Sequence, residues 1–234
     1  MIYGVTTNSF VDYPEFISIV AYTIGCNFRC PYCHNPGAVR NIPRTNFDID
    51  ILNNLITKNK GFVDALVISG GQPTIHGEKL FKLCDKAKDN DLKVKIDTNG
   101  SDPSLIKTLI DTNRIDYVAV DIKTIPTPEY YSKLCDNKDA ASNVLATLKI
   151  LRASTIGYEV RMPCINPFIT VENAAVIKEV LVDKDIVYLN NFNREVEILD
   201  PSFYKDINPV VSVQELIDIQ NIISSKVKTC ILYN

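Results

Sequence analysis

Three cysteines lie within eight positions of this 234-residue chain and are its clearest candidates for chemistry. Cys26, Cys30 and Cys33 have the spacing C-x3-C-x2-C. A structural zinc site usually has four ligands and a redox C-x-x-C motif needs two, whereas three thiolates on a four-iron cluster leave one iron open. The spacing therefore favours an iron–sulfur cluster that a substrate or cofactor can reach. The alternatives are coincidence, or zinc with Cys84 or His34 as fourth ligand.

Six short apolar runs, rich in Val and Ile, divide the chain and predict strands buried on both faces of a parallel sheet. The predicted strands are residues 16–24, 63–70, 92–99, 115–123, 158–164 and 185–192, with a terminal strand in 227–234. Helical patterns alternate with them, and two begin with capping residues, Asp102 before Pro103 and the pair Ser212 and Glu215. The predicted helices are residues 48–59, 77–90, 103–112, 139–153, 171–182 and 212–226.

This alternation predicts an α/β domain with a parallel sheet, either a flat doubly wound sheet or a curved, incomplete barrel. Periodicity does not separate the two, but both place functional groups at the carboxyl ends of the strands. Polar residues follow all six predicted strands, so we expect them to meet at one rim. They are Cys26, the segments 69–73, 97–100 and 121–123, Arg161, Asn191 and Asn193.

Composition argues against several other classes of function. The formal net charge is -3 without a long basic run, so nucleic-acid binding has no electrostatic support. The N-terminus lacks a signal-peptide pattern, and no apolar run approaches the roughly 20 residues of a membrane helix. We therefore expect a cytoplasmic protein with no membrane partner. The remaining cysteines stand singly, as small buried hydrophobes do. They are Cys84, Cys135, Cys164 and Cys230.

With Tyr32 before the third cysteine, the loop resembles the signature C-x3-C-x-aromatic-C of the radical S-adenosylmethionine (SAM) superfamily. The resemblance implies one domain over residues 1–234, folded as an incomplete (β/α)6 barrel with parallel strands. It implies a 4Fe–4S cluster held by Cys26, Cys30 and Cys33, with the amino and carboxylate groups of SAM on the fourth iron. Reductive cleavage of SAM would then give methionine and a 5′-deoxyadenosyl radical.

Further segments resemble the activases of glycyl-radical enzymes, above all those of anaerobic ribonucleotide reductase. The resemblance implies removal of a hydrogen from a glycine of that partner, with a flavodoxin- or ferredoxin-type electron donor. Rival interpretations are a small-molecule enzyme similar to 7-carboxy-7-deazaguanine synthase, or a non-catalytic metal-binding partner protein. Two residues depart from the activase pattern, Glu15 for Gly and Gln72 for Glu. The similar segments are 9–14, 25–36, 68–74, 95–100, 118–123 and 188–201.

The resemblance also implies which residues bind SAM, and Gln72 would orient the SAM amine through its side-chain oxygen. From the residues alone, the pair Gly70 and Gly71 lets the backbone approach a ligand closely. Arg161, late on an apolar strand, is expected either to contact SAM or to pair with a carboxylate. The implied SAM-binding residues are Tyr32, His34, Gly70, Gly71, Gln72, Arg161 and Asn193.

A monovalent cation beside the SAM carboxylate is the last implied group. Its ligands would be Asp97, Thr98, Asp121 and the carbonyl of Ala119. Two carboxylates and a hydroxyl at neighbouring strand ends suit a hard cation, although helix capping and turn formation would also use them. Lys123 would steer the SAM carboxylate or the partner, or remain solvated.

Overall fold

The fold is known from a computed structural model that describes residues 1–42, 49–135 and 137–233. Eight strands form one sheet in chain order, with β1 antiparallel to β2 and all later neighbours parallel. Within the described residues β1 and β8 are the two edges, so the sheet is open, which confirms the predicted incomplete barrel. The strands are β1 Ile2–Ser9, β2 Ser18–Thr23, β3 Ala65–Gly70, β4 Lys93–Thr98, β5 Tyr117–Asp121, β6 Gly157–Cys164, β7 Ile186–Asn191 and β8 Thr229–Tyr233.

All six predicted helices form, although residue 48 at the start of the first lies outside the described residues. Asp102 caps α4 by accepting from the Leu105 amide, and Ser212 and Glu215 form the predicted capping box. The short helices α1 and α5 were not predicted. The helices are α1 Pro36–Val39, α2 Ile49–Lys58, α3 Glu78–Lys88, α4 Pro103–Asp111, α5 Pro128–Cys135, α6 Ala140–Ala153, α7 Val171–Ile177 and α8 Val213–Ser224. Single 3-10 turns cover Pro73–His76, Lys178–Val180 and Pro201–Tyr204.

The first strand, β1, is absent from the sequence prediction because its residues do not form an apolar run. Residues 6–8 are polar and exposed, residues 4 and 5 are half-buried, and only the ends of the strand are buried. It nevertheless completes one edge of the sheet, with Val5 opposite Ala21 of β2. The strand therefore depends on backbone pairing with its neighbour more than on burial of its own side chains.

The strands β4, β5 and β6 are buried on both faces, but only one face is apolar. The outer face packs under the helices, and Ile96, Val118 and Val160 on it have no exposed surface. The inner face carries charged side chains instead, including Lys95 and Glu159, which are also buried. The expectation of strands buried on both faces is therefore met in these three strands, although the inner face is charged and its side chains pair with one another.

The segment 9–14 closes the inner side of the barrel away from the rim. Tyr13 is buried, and its ring lies 5.1 Å from the ring of Phe16 and 5.4 Å from that of Tyr117. Lys95 Nζ donates to the carbonyl of Asp12 at 2.6 Å. This segment therefore covers the end of the barrel interior and fixes its buried lysine.

No helix among the described residues combines the length and apolar character that crossing a bilayer requires.

Candidate active site

A cavity of about 360 Å³ opens at the carboxyl ends of the parallel strands. Its size lies in the range that cofactors and other small ligands occupy. Residues near the carboxyl ends of β2, β3, β4, β5, β6 and β7, within the strand or just after it, all contribute, so the predicted convergence of six strand ends on one rim is confirmed. The lining includes Cys26, Cys30, Cys33, Gly70, Gly71, Gln72, Asp97, Thr98, Asp121, Lys123, Arg161, Asn190 and Asn191.

The three clustered cysteines all face this cavity from one loop, residues 24–36, called the cysteine loop here. Cys30 is buried, and Cys26 and Cys33 are partly buried. The Phe28 amide donates to Cys26 Sγ at 3.4 Å, and Asn99 Nδ2 lies 3.9 Å from the same sulfur. Donors of this kind stabilise thiolates that hold an iron–sulfur cluster. The donor set therefore suits the cluster that the spacing predicts.

Burial raises the pKa of the Cys26 and Cys30 thiols, so both stay protonated at neutral pH without metal. Since a metal ligand must be a thiolate, cluster assembly on this loop has to release protons.

A second segment, residues 192–203, holds the cysteine loop from the other side. The Leu199 amide donates to the Cys33 carbonyl at 3.0 Å, and the Asp200 amide donates to the Pro31 carbonyl at 2.9 Å. The His34 ring stacks on Phe192 with centroids 4.9 Å apart. The sequence assigned this segment one role only, the implied contact of Asn193 with SAM. Its backbone bonds now show that it positions the loop that carries the three cysteines.

The glycine pair at the end of β3 presses against the start of the cysteine loop. The Gly71 amide donates to the Thr23 carbonyl at 2.9 Å, and the Gln72 amide donates to the Gly25 carbonyl at 2.8 Å. A Cβ on Gly71 would lie 1.9 Å from the Gly25 oxygen, and Gly70 has a φ of 104°. Close approach to the chain's own backbone therefore already requires both glycines. Both also line the cavity, so their predicted contact with SAM stays a prediction.

Gln72 joins two strand ends from a fully buried position. Its Oε1 accepts from the Asn99 amide at 2.9 Å. Its Nε2 lies 2.6 Å from Thr74 Oγ1 and 2.7 Å from Thr98 Oγ1. The Asn99 N–H needs an acceptor, which fixes which end of the amide is oxygen. One lone pair of Oε1 therefore remains for the predicted contact with the SAM amine.

Below the rim, the inner face of β4–β6 forms a network of ion pairs that we call the charged floor. Arg161 donates to Glu159 Oε1 from Nε at 2.8 Å and to Asp97 Oδ2 from Nη1 at 3.2 Å. Lys95 Nζ lies 3.1 Å from Glu159 Oε1 and 3.8 Å from Asp97 Oδ1. The floor consists of Lys95, Asp97, Asp121, Lys123, Glu159 and Arg161.

Arg161 and Lys123 of the floor stay charged. Burial opposes the charge of Arg161, but Asp97 and Glu159 more than offset it and hold its pKa above the usual value. Burial likewise opposes the charge of Lys123, but Asp121, with its Oδ2 2.7 Å from Lys123 Nζ, holds that pKa above the usual range. Arg161 Nη2 also lies 2.7 Å from Glu159 Oε1, so Arg161 is paired with carboxylates and two of its five N–H groups lie outside these three contacts.

Four buried polar atoms of the cavity wall lack a hydrogen-bond partner. A fifth such atom, Asn53 Oδ1, belongs to α2, away from the cavity lining. Buried polar atoms normally have hydrogen-bond partners. Four atoms without a partner in one cavity wall therefore indicate that a polar ligand binds there and supplies the partners. The four atoms are Tyr32 Oη, His34 Nε2, Asp97 Oδ1 and Asn190 Oδ1. With the three thiols, they fit a cluster and a cofactor that carries amino, carboxylate and hydroxyl groups.

Two predicted site residues do not reach the cavity lining. Asn193 is exposed, and its Oδ1 accepts from the Glu195 amide at 2.9 Å. Ala119 lies in the middle of β5, opposite Asp97 of β4. Asn190, two residues before the end of the same apolar run, faces the cavity instead and was missed. Alternation along the strand places Asn190 on the face opposite the buried Val187 and Leu189, and this pattern could have found it.

Single-ion metal sites were also a sequence alternative. Among residues 1–42, 49–135 and 137–233, no three His, Cys, Asp or Glu side chains are grouped to hold one metal ion. Cys84, a suggested fourth zinc ligand, is fully buried on α3 and does not line the cavity.

Comparisons with known proteins agree with this site. The family model of the radical SAM superfamily matches residues 20–167, which is more than half of the chain. The chain therefore belongs to the radical SAM superfamily, whose members use a 4Fe–4S cluster and SAM.

Within the superfamily, the chain is similar to activating enzymes of glycyl-radical enzymes. It is 30% identical over 207 residues, 88% of this chain and 85% of the other, to a Methanocaldococcus jannaschii protein named provisionally as a glycyl-radical enzyme activating enzyme. It is 33% identical over 95 residues, 38% of each chain, to the pyruvate formate-lyase-activating enzyme of Staphylococcus aureus. These relatives confirm the predicted class of enzyme.

The fold is shared with solved radical SAM structures at lower identity. SuiB of Streptococcus suis, bound to its precursor peptide SuiA, superposes with a TM-score of 0.67 at 12% identity. The superposition covers 92% of this chain and 48% of SuiB. At this identity the likeness concerns the fold alone.

Proposed function

We propose that this protein activates an anaerobic ribonucleotide reductase by generating a glycyl radical in it. The observation that carries the proposal is the cavity itself, where three thiols of one loop and four unsatisfied polar atoms face a space of cofactor size. The bound cluster and SAM would supply, after uptake of one electron, methionine and a 5′-deoxyadenosyl radical that takes a hydrogen atom from the glycine Cα.

The chain's own residues have three tasks in this proposal. Cys26, Cys30 and Cys33 hold the cluster, and the amide of Phe28 and the side chain of Asn99 tune the Cys26 sulfur. The remaining cavity residues bind and orient SAM, with Arg161 among the groups facing its carboxylate. Segment 192–203 keeps the cysteine loop in place from the side opposite β3.

The choice of partner rests on the sequence resemblance, chiefly segment 188–201. Most of it belongs to the segment that bonds to the cysteine loop, so the resemblance covers a part of the chain with a structural role. An electron donor of the flavodoxin or ferredoxin type and a cytoplasmic location belong to the same proposal. A monovalent cation on Asp97, Thr98, Asp121 and the Ala119 carbonyl also stays a prediction.

Anaerobic reconstitution with iron and sulfide tests the proposal directly. The reconstituted protein, SAM and a reductant are mixed with the anaerobic ribonucleotide reductase encoded in the same genome. We expect a glycyl doublet in the electron paramagnetic resonance spectrum and one 5′-deoxyadenosine per radical. The matched control is the same reductase with its radical glycine replaced by alanine, which should give no doublet. A doublet in pyruvate formate-lyase but not in the reductase would reject the proposed partner.

Cysteine variants separate cluster chemistry from folding. Each of Cys26→Ala, Cys30→Ala and Cys33→Ala should lose the cluster absorbance and all SAM cleavage, because no fourth thiol faces the cavity. Cys84→Ala and Cys230→Ala are the matched controls and should keep both. Full SAM cleavage by any of the first three variants would remove the cluster assignment.

A further inference from the structure

The hydroxyl of Thr98 uses both of its lone pairs inside the protein. Its Oγ1 accepts from Gln72 Nε2 at 2.7 Å and from the Gly100 amide at 3.1 Å. A hydroxyl oxygen has two acceptor lone pairs and one proton to donate. Thr98 therefore retains only its proton for a ligand in the cavity. A cation needs a lone pair, whereas a carboxylate needs that proton.

Gln72 determines whether the Thr98 hydroxyl is left as a donor or an acceptor toward the cavity. Its Oε1 is fixed by the Asn99 amide, so its Nε2 must donate to the threonine hydroxyls. A glutamate at position 72 would have no donor and would accept from Thr98 instead. Thr98 would then give its proton to residue 72 and keep one lone pair toward the cavity. With glutamine in place of glutamate at position 72, the Thr98 hydroxyl therefore offers a ligand a proton instead of a lone pair.

The charged floor is balanced without an added cation. Its three carboxylates, Asp97, Asp121 and Glu159, face three positive groups. The positive groups are Lys95, Lys123 and Arg161. Each carboxylate has an ion pair within 3.2 Å, and Asp97 Oδ1 is their one fully buried oxygen that lacks a hydrogen-bond partner. Lys95 Nζ, 3.8 Å from that oxygen, gives it a positive neighbour without a metal ion.

We infer that this protein binds the carboxylate of SAM directly, by donation from Thr98 and Arg161, and needs no monovalent cation to do so. The inference rests on the proposed function, since SAM must occupy this cavity. The resemblance to activases implies a cation beside this carboxylate. In the inference, groups of the chain itself take the place of that cation. Gln72 is the positioning residue, because it acts on the ligand through the direction of the Thr98 hydroxyl.

Titrations of SAM into the reconstituted protein test the inference at constant ionic strength. The salts are chlorides of sodium, potassium and N-methylglucamine. We expect wild-type affinity to agree within about twofold in all three, because no site takes up the small cations. Gln72→Glu should acquire a dependence, with SAM bound about tenfold tighter in sodium or potassium, the effect of one charge-assisted contact. Thr98→Val should bind about tenfold more weakly in every salt, whereas Thr98→Ser should match wild type.

Two results would overturn the inference. One is wild-type affinity that rises tenfold with sodium or potassium, and the other is a Gln72→Glu protein that ignores both. If Gln72→Glu does not fold, the wild-type salt series and the Thr98 pair still decide. If wild type does not bind SAM in any of the three salts, the proposed function fails. The nuclear magnetic resonance of ²⁰⁵Tl⁺ added to the SAM-free protein then decides whether a cation site exists. A bound Tl⁺ population in wild type would overturn the inference, and its absence there with binding in Gln72→Glu would support it.

Discussion

The two faces of β4, β5 and β6 are equally buried but stabilise the protein in opposite ways. The outer face, with Ile96 and Val118, packs under the helices without polar groups. On the inner face, Lys95 and Glu159 are as inaccessible as those side chains, yet they are polar and contact each other in a salt bridge of 3.1 Å. Neighbouring residues of one strand thus belong to a core and to a functional site.

The difference between the two faces shows that the inner face costs folding energy and the outer face does not. Burial of apolar surface is favourable at about 25 cal/mol per Å², whereas a buried ion pair often gives no net stability. The inner face therefore does not exist for stability alone. Its side chains also provide polar groups of the cavity wall, since the acceptor Asp97 and the donor Arg161 belong both to the network and to that wall.

Removal of one charge from the inner face should have the largest effect. Lys95→Met leaves Glu159 and Asp97 with only Arg161 as positive partner and frees the Asp12 carbonyl. We expect a loss of about 3–5 kcal/mol in the free energy of unfolding, the usual cost of an uncompensated buried charge. Urea denaturation of the metal-free protein under reducing conditions measures it. A loss below about 1 kcal/mol would show that water reaches Lys95.

Removal of both partners should cost less than the two separate changes together. Glu159→Met alone leaves Lys95 with Asp97, 3.8 Å away, as its one carboxylate partner, but the double variant Lys95→Met, Glu159→Met leaves Arg161 paired with Asp97. We expect a coupling free energy of about 1–3 kcal/mol in the double-mutant cycle. A matched cycle with Lys107 and Asp111, an exposed pair on α4, should give about 0.3–0.5 kcal/mol. Equal coupling in both cycles would contradict the comparison.

A small change on the outer face should cost only the packing of one methylene group. Ile96→Val removes that group from a site with no exposed surface. We expect a loss of about 1 kcal/mol, within the usual range for this substitution in a core. The same urea series measures it, with SAM affinity as the second readout. A changed SAM affinity would mean that the outer face is not separate from the site.

The sequence predicted the outer face better than the inner one. Short apolar runs mark strands well, and all six predicted strands form. The Val and Ile residues of the outer face are enough to mark each run, whatever residues alternate with them. Lys95 and Glu159 give no such signal, since a charged residue inside a run looks exposed until its partner on another strand is known. Strand β1 was missed for a related reason. It is held by backbone hydrogen bonds, and these do not require a pattern of apolar side chains.

The site was predicted where residue type and spacing carry the information. The three cysteines and the strand-end groups Gln72, Asp97 and Arg161 meet in one cavity, as their positions after apolar runs indicated. Asn190, within β7, was missed although strand alternation marks its face, and Asn193 lies outside the lining because its side chain bonds within the turn after β7. The direction of the Thr98 hydroxyl depends on contacts between three loops, which no local pattern contains.

The thiol of Cys164 extends the comparison to pH. Cys164 lies on the outer face of β6, fully buried, and burial, with a smaller effect of Cys230, raises its pKa from 9.0 to about 12. A raised pKa of an acid contributes stability that is present below the unfolded-state pKa and is lost as pH rises toward the folded-state value. Between pH 8 and 9.5 the unfolded thiol ionises while the folded one does not. Wild type should therefore lose about 0.8 kcal/mol that Cys164→Ala does not lose.

Urea denaturation at pH 8, 8.75 and 9.5 in the presence of a reductant measures this difference. Val160→Ala, a change on the same face without a titratable group, is the matched control. Its stability should run parallel to that of wild type at a constant offset, because it leaves the thiol in place. The Cys164→Ala curve should instead converge on wild type as pH rises, since only the wild-type unfolded state gains a thiolate. Parallel curves for Cys164→Ala and wild type would mean that water reaches this thiol, and that the outer face is less dry than its packing indicates.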